Sequence, residues 1–231
     1  MLSLGGQSEG MNVFKKMIGS ALFILLVLQL TACQNEKKQA ETIYNQLETS
    51  ARAEKTFADQ ERQLVKATQE EQTLYNKIID SDIDRKNEVK DNIDKALKTN
   101  SRREQYLNEA KKSFDQAYQT VETTKERVKK IKDAEQKKEA TRIIQLMGKR
   151  HQIFDRYYQD YLEALALTKK LYDQLDKKDI KASELDELIS KINKKTSRLK
   201  QQEDQFNQYT KSYNHAKSHY YQVAQLKTKH T

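Results

Sequence analysis

The sequence predicts an all-α fold: an elongated antiparallel helical bundle or coiled-coil rod of three to four long helices. Three observations predict it. No proline occurs anywhere in the 231 residues, and Gly148 is the only glycine after residue 32. Tight turns, strand bulges and glycine-rich phosphate loops depend on those two residues, so a β-rich or dinucleotide-binding fold is argued against. High Lys, Glu, Gln, Asp and Ala with recurring Leu, Ile and Tyr is the composition of long helices. From Ala40 onward the apolar positions follow the 3-4 spacing of a coiled coil.

The N-terminal stretch has a different character. Lys15 and Lys16 precede an unbroken apolar run, Ala21 to Leu28, and small residues follow at Thr31 and Ala32. That order is a secretory signal, read over residues 1–32, and the run is shorter than the roughly 20 residues a membrane span needs. Leu30-Thr31-Ala32-Cys33 resembles the bacterial lipobox. The resemblance implies cleavage before Cys33, diacylglycerol on its sulfur, and an acyl chain such as palmitate on the new amine. The competing reading is an ordinary secreted protein with a chance cysteine. Two or three acyl chains make a stable anchor where one holds marginally. Residues 1–10 extend the basic region poorly, so translation is expected to start at Met11, which a mass spectrum of the precursor would settle. Cys33 and the polar tether of residues 34–39 then lead into a single bundle domain over 40–231. Cys33 is the chain's one cysteine, so it cannot form an internal disulfide.

Four helical segments make up that domain. The first, about 40–80, carries Ile43, Leu47, Phe57, Leu64, Tyr75 and Ile78, with Ser50, Glu54, Glu61 and Glu71 interrupting the seam. So polar a seam leaves room for a protein partner or a second copy. Ser81 and Asp82 offer caps for the second segment, about 82–132, whose frame runs from Val89 to Ile131 with polar Asn100 and Arg103 on it. Ser101 to Glu104 also reads as a capping box, so a break near Thr99–Arg102 is expected, or else one long helix with a polar layer. The third, about 133–176, has Asp133 as its cap and two adjacent apolar stripes, as a helix touching neighbours on two sides would. The fourth is capped by Ser183 and runs to about residue 227, with Lys195 and Gln202 off pattern. Each segment spans roughly 60–75 Å. Short links near 81, 133 and 180 favour an up-and-down bundle; a three-helix rod with a kinked arm is the alternative.

The charge is 43 basic against 34 acidic residues, and 41 against 33 without residues 1–32. Such a surface favours anionic neighbours, or simply keeps a rod soluble. The topology would gather Lys37, Lys38, Lys125, Lys129, Lys130, Lys132, Lys137, Lys138, Lys227 and Lys229 at the Cys33 end. A second run, Lys191, Lys194, Lys195, Arg198 and Lys200, falls towards the far half with no acidic residue inside it. Lys129, Lys130, Lys132, Lys137, Lys138, Lys191, Lys194, Lys195 and Arg198 are the candidate polymer-binding residues, against ordinary solvated helix faces. No catalytic constellation, cofactor motif or metal site is read. His215 and His219 stand one turn apart without a third ligand, and His151 falls on a core seam. The tyrosines of the last two segments mostly obey the heptad and read as core; Tyr157 and Tyr221 leave the seams and are expected to be exposed.

Phe206-Asn207-Gln208-Tyr209-Thr210-Lys211-Ser212-Tyr213-Asn214-His215-Ala216-Lys217-Ser218-His219-Tyr220-Tyr221 resembles the C-terminal pattern of the YkyA-type cell-wall-binding lipoproteins of low-GC Gram-positive bacteria. The lipobox, the helical chain and the run Arg150, Tyr157, Tyr158, Tyr161, Leu171, Tyr172 agree with it. The resemblance implies a lipoprotein of the cell envelope in contact with the wall; with the lipobox and the basic surface, the expectation is a non-enzymatic protein, lipid-anchored on the extracytoplasmic face of the membrane, that engages anionic wall polymers, teichoic acid or peptidoglycan. No nucleic-acid partner is expected. The alternative function is a helical adaptor or chaperone-like protein for secreted or membrane proteins.

Overall fold

The computed structural model describes residues 8–81, 86–177 and 181–226, with side chains from residue 36 onward. Helices α1 (Ser8–Ile79), α2 (Lys86–Glu122), α3 (Lys125–Lys129), α4 (Ala134–Leu175) and α5 (Ala182–Val223) follow one another, and no strand occurs among the described residues. Among the described residues the fold is an all-α bundle of four long helices and one short one. Residues 34–39 continue α1 as helix instead of forming a separate tether, since Gln, Glu, Lys and Ala all favour helix. Leu30 to Cys33 lie on α1, but their side chains are outside the described residues. Asp82, Lys227 and Lys229 are also outside them.

The expected break near Thr99–Arg102 does not occur: α2 is continuous there, and Ser101 Oγ donates to the carbonyl of Leu97 inside the helix rather than capping one. The helix ends instead at Thr123-Thr124, where the Thr123 hydroxyl takes the carbonyl of Thr120 and the Thr124 hydroxyl that of Val121. These side chains bond the carbonyls of the closing turn, and α3 follows as a short bend. Asp133 caps α4 as its sequence position suggests, its carboxylate accepting from the Gln136 N–H at 2.8 Å. Ser183 does not cap α5, which starts one residue before it after an extended Lys181.

α1 packs most closely on α2 and α4 on α5, and α2 against α4 joins the pairs. The core falls into three clusters along the rod. The largest lies towards the end that holds residue 40 and gathers Ile43, Leu47, Phe57, Phe114, Val121, Met147, Phe154, Tyr213 and Tyr220 from all four long helices. A middle cluster holds Leu64, Leu107, Tyr161 and Leu165, with Leu199 of α5 at its edge. The far cluster, Leu74, Ile78, Ile93, Ala96 and Tyr172, receives nothing from α5. The first half of α5 therefore rides on the rod instead of entering its core.

The polar residues that interrupt the heptads mostly find one another. Arg150 is 1 % exposed. Its guanidinium bonds Glu54 of α1 at 2.5 Å and Thr210 of α5 at 3.1 Å, and lies over the rings of Phe114, Phe206 and Tyr213 at 4.7–5.2 Å. Arg103 of α2 is tied to Glu71 of α1 and to the Tyr161 hydroxyl of α4. Ser50 donates to the carbonyl of Ala117, and Asn100 to that of Leu165. Lys195 and Gln202, off pattern on α5, both reach Asp160 of α4, at 2.7 Å each. Tyr221, expected at the surface, is buried: its ring meets Tyr44 edge-on at 4.9 Å and its hydroxyl donates to Glu48 at 2.7 Å.

Candidate functional sites at the two ends of the bundle

Antiparallel packing brings the start of the described body, the α2–α4 connection and the end of α5 together. Gln46 Nε2 donates to the Thr123 hydroxyl at 3.0 Å, and Gln136 Nε2 to the carbonyl of Val223 at 3.4 Å. Around this end Lys37, Lys38, Lys130, Lys132 and Lys138 are exposed and meet no carboxylate within salt-bridge distance among the described residues. Lys129 pairs with Glu126 at 2.5 Å, Lys125 with Glu122, and Lys137 donates to the carbonyl of Lys129 at 3.2 Å. Glu126 is held below the usual carboxylate range by its hydrogen bond from Lys129. The end is thus a set of free ammonium groups beside two locally neutralised ones.

The second basic run is different. Lys195 is bound to Asp160 and Glu163 across the α4–α5 contact, Arg198 approaches Asp160 at 3.5 Å, and Lys191 pairs with Glu187 at 2.5 Å. Burial pushes the Asp160 carboxyl up, but the hydrogen bonds from Lys195 and Gln202 and the neighbouring positive charge hold it below its ordinary value. The acids that answer this run come from α4 or from one turn away. Of the run's candidates, Lys194 alone is left exposed with no carboxylate partner among the described residues.

On the far half, α1 and α5 stand apart over α4, and a groove of about 800 Å³ opens between them. Leu64, Val65, Thr68 and Tyr75 form one wall, Ile189, Ile192, Thr196 and Leu199 the other, and Tyr157, Tyr161, Ala164 and Leu171 the floor. Val65 is 56 % exposed, Thr196 is exposed, and Ile189, Ile192 and Leu199 are half-buried. Tyr157, expected at the surface, is half-buried in this floor, its ring stacked 5.9 Å from Phe154. Glu61 also lines the groove. Unlike Ser50, Glu54 and Glu71, it has no hydrogen bond or ion pair among the described residues; burial, with Glu203 nearby, pushes its carboxyl up to about 7 against the opposing effect of Arg150.

Asp115, His151 and Asp155 converge on one face of the α2–α4 contact. The Lys111 ammonium already bridges the two carboxylates, at 2.5 and 3.1 Å, so their charge is met by a side chain. His219 faces Glu139 at 3.6 Å and Glu135 at 3.9 Å, while His215 points to solvent without joining them. Sequence reading missed the groove, Asp160 and Glu61's isolation. Glu61 was visible as a seam interruption, but which interruptions have partners is a property of the packing.

The fold and its ends define an elongated helical bundle with a cationic end beside the start of its body and an apolar, acid-marked groove on its far half. The chain belongs to the YkyA family, described as "putative cell-wall binding lipoprotein", whose model matches residues 38–223. It is 30 % identical over 207 residues to "Uncharacterized lipoprotein YkyA" of Bacillus subtilis (strain 168), covering 90 % of this chain and 92 % of that one. No solved structure matches it. Among the described residues no helix is long and apolar enough to cross a membrane.

Proposed function

We propose that this protein is a non-enzymatic cell-envelope lipoprotein, held on the extracytoplasmic face of the membrane by diacylglyceryl-Cys33, whose basic end contacts anionic wall polymers. The observation that carries the reading is the group of exposed, unpaired lysines, Lys37, Lys38, Lys130, Lys132 and Lys138, at the end of the bundle nearest Cys33. Family membership supports contact with the wall. Free ammonium groups on one face attract phosphate-rich polymers and anionic headgroups through the same field, which salt weakens. Each lysine near an anionic leaflet adds about 1 kcal/mol. The near-end candidates Lys129, Lys130, Lys132, Lys137 and Lys138 rank above Lys191, Lys194, Lys195 and Arg198, because most of the latter already have acidic partners.

The test is a pair of charge-reversal variants. Lys130→Glu/Lys132→Glu/Lys138→Glu should lose most binding to teichoic-acid-bearing sacculi. Lys191→Glu/Lys194→Glu should retain it. Equal losses in the two variants would reject the near-end assignment.

A further inference from the structure

We propose that the far groove is the docking site for one amphipathic helix of a partner protein, apolar on its buried face and carrying a Lys or Arg there to meet Glu61. The groove runs along α1 from Glu61 to Tyr75 and along α5 from Ile189 to Asn207, about 20–27 Å at the helical rise. Its walls are two helices, so the apolar side chains on each recur at helical spacing and leave a straight channel for a third helix laid between them. The far cluster of the core takes nothing from α5, so that channel lies where the bundle lacks its fourth layer. Tyrosines line the channel floor, and amides and charged groups, among them Gln69, Asn193, Arg103 and Lys200, are interspersed with the aliphatic side chains.

Charge then specifies the occupant. The other acidic residue on the groove's α1 wall is spoken for: Glu71 is bound to Arg103. Across the channel Glu203 is only loosely shared with Lys200, at 3.5 Å. Among the described residues Glu61 has neither hydrogen bond nor ion pair, in a seam where its three counterparts all have partners. A carboxylate in a largely apolar groove with no cation bonded to it is costly to bury further. Arg103 and Lys200 also line the groove, but Arg103 is bound to Glu71 and Lys200 is shared between Glu203 and Asp204. An apolar helix alone would make that worse, and an anionic polymer would be repelled. A helix bringing one ammonium or guanidinium group to Glu61 and Glu203 satisfies both the channel and the charge. A two-site protein results, with polymer contact at the near end and helix capture at the far half.

The experiment measures binding of a fluorescent 20-residue Leu/Ala amphipathic helix, with a single Lys at the centre of its apolar face, to the lipidated mature chain in nanodiscs. A matched peptide carries Glu in place of that Lys. The Lys peptide should bind at least tenfold more tightly than the Glu peptide. Glu61→Lys should reverse the preference, and Ile192→Asp should weaken both. Lys130→Glu/Lys132→Glu should leave peptide affinity unchanged, which separates this site from the polymer site. Equal affinity for the two peptides, or no saturable binding, would overturn the proposal. So would sedimentation showing that the chain dimerises and that Ile192→Asp makes it monomeric, since a second copy would then fill the groove.

Discussion

Arg150 brings all four long helices to one guanidinium, through Glu54, Phe114, Thr210 and Tyr213. Removing one partner of such a pair leaves a charge buried without compensation, which costs about 3–5 kcal/mol, whereas replacing both by apolar residues is often neutral. Arg150→Ala should therefore lower the unfolding free energy by that amount in urea denaturation, and Glu54→Leu/Arg150→Met should recover most of it. Glu61 behaves in the opposite sense. Its carboxyl rises from 4.5 to about 7 in the folded chain, so between those values the folded state holds more protons than the unfolded one. Stability must then fall as pH rises across that window, by about 2 kcal/mol or less given the group's partial exposure. Glu61→Gln should flatten this slope and stabilise the protein at pH 8. A Glu61→Gln variant with an unchanged pH profile would show that the carboxyl titrates normally.

At the scale of the helix, termini and periodicity were legible to different degrees. Asp133 caps α4 because it combines a side-chain acceptor with an extended backbone. Asp133→Ala should cost about 1 kcal/mol. Ser183→Ala should change stability by less than about 0.5 kcal/mol, the range for surface substitutions away from such features, because that serine lies inside α5 without capping it. Gly148 sits mid-α4 with open space where a Cβ would go. Gly148→Ala should stabilise by about 1 kcal/mol in the same denaturation assay, which rules out close helix approach as its role. The heptads of α2 and α4 were readable because apolar spacing alone sets which face is buried. The break at Thr123-Thr124 was not readable. Asn100 and Arg103 looked like a weakened seam, but their partners, Leu165 and Glu71, lie on other helices. Polar residues on a seam mark a break only when nothing across the interface answers them, and the spacing within one helix cannot show that.

The whole molecule separates its charges along its length. Its antiparallel order, legible from the short connections, gathers the near-end lysines beside the start of the body. The neutralised run on α5 was legible only as a block of cations, since its acids, Asp160 and Glu163, come from α4. Tyr221 shows the same limit: it leaves the heptad, yet it is buried because Tyr44 and Glu48 of α1 cover it. What packs on a helix from two sides escapes a one-stripe reading. Electrostatic contact between the near end and wall polymers follows from this separation of charge. It is tested most directly by cosedimenting the mature chain with purified sacculi, with and without teichoic acid, across a salt series. Binding should require teichoic acid and be lost as the ionic strength rises. Binding that persists at 1 M salt, or that is unchanged when teichoic acid is stripped, would contradict it.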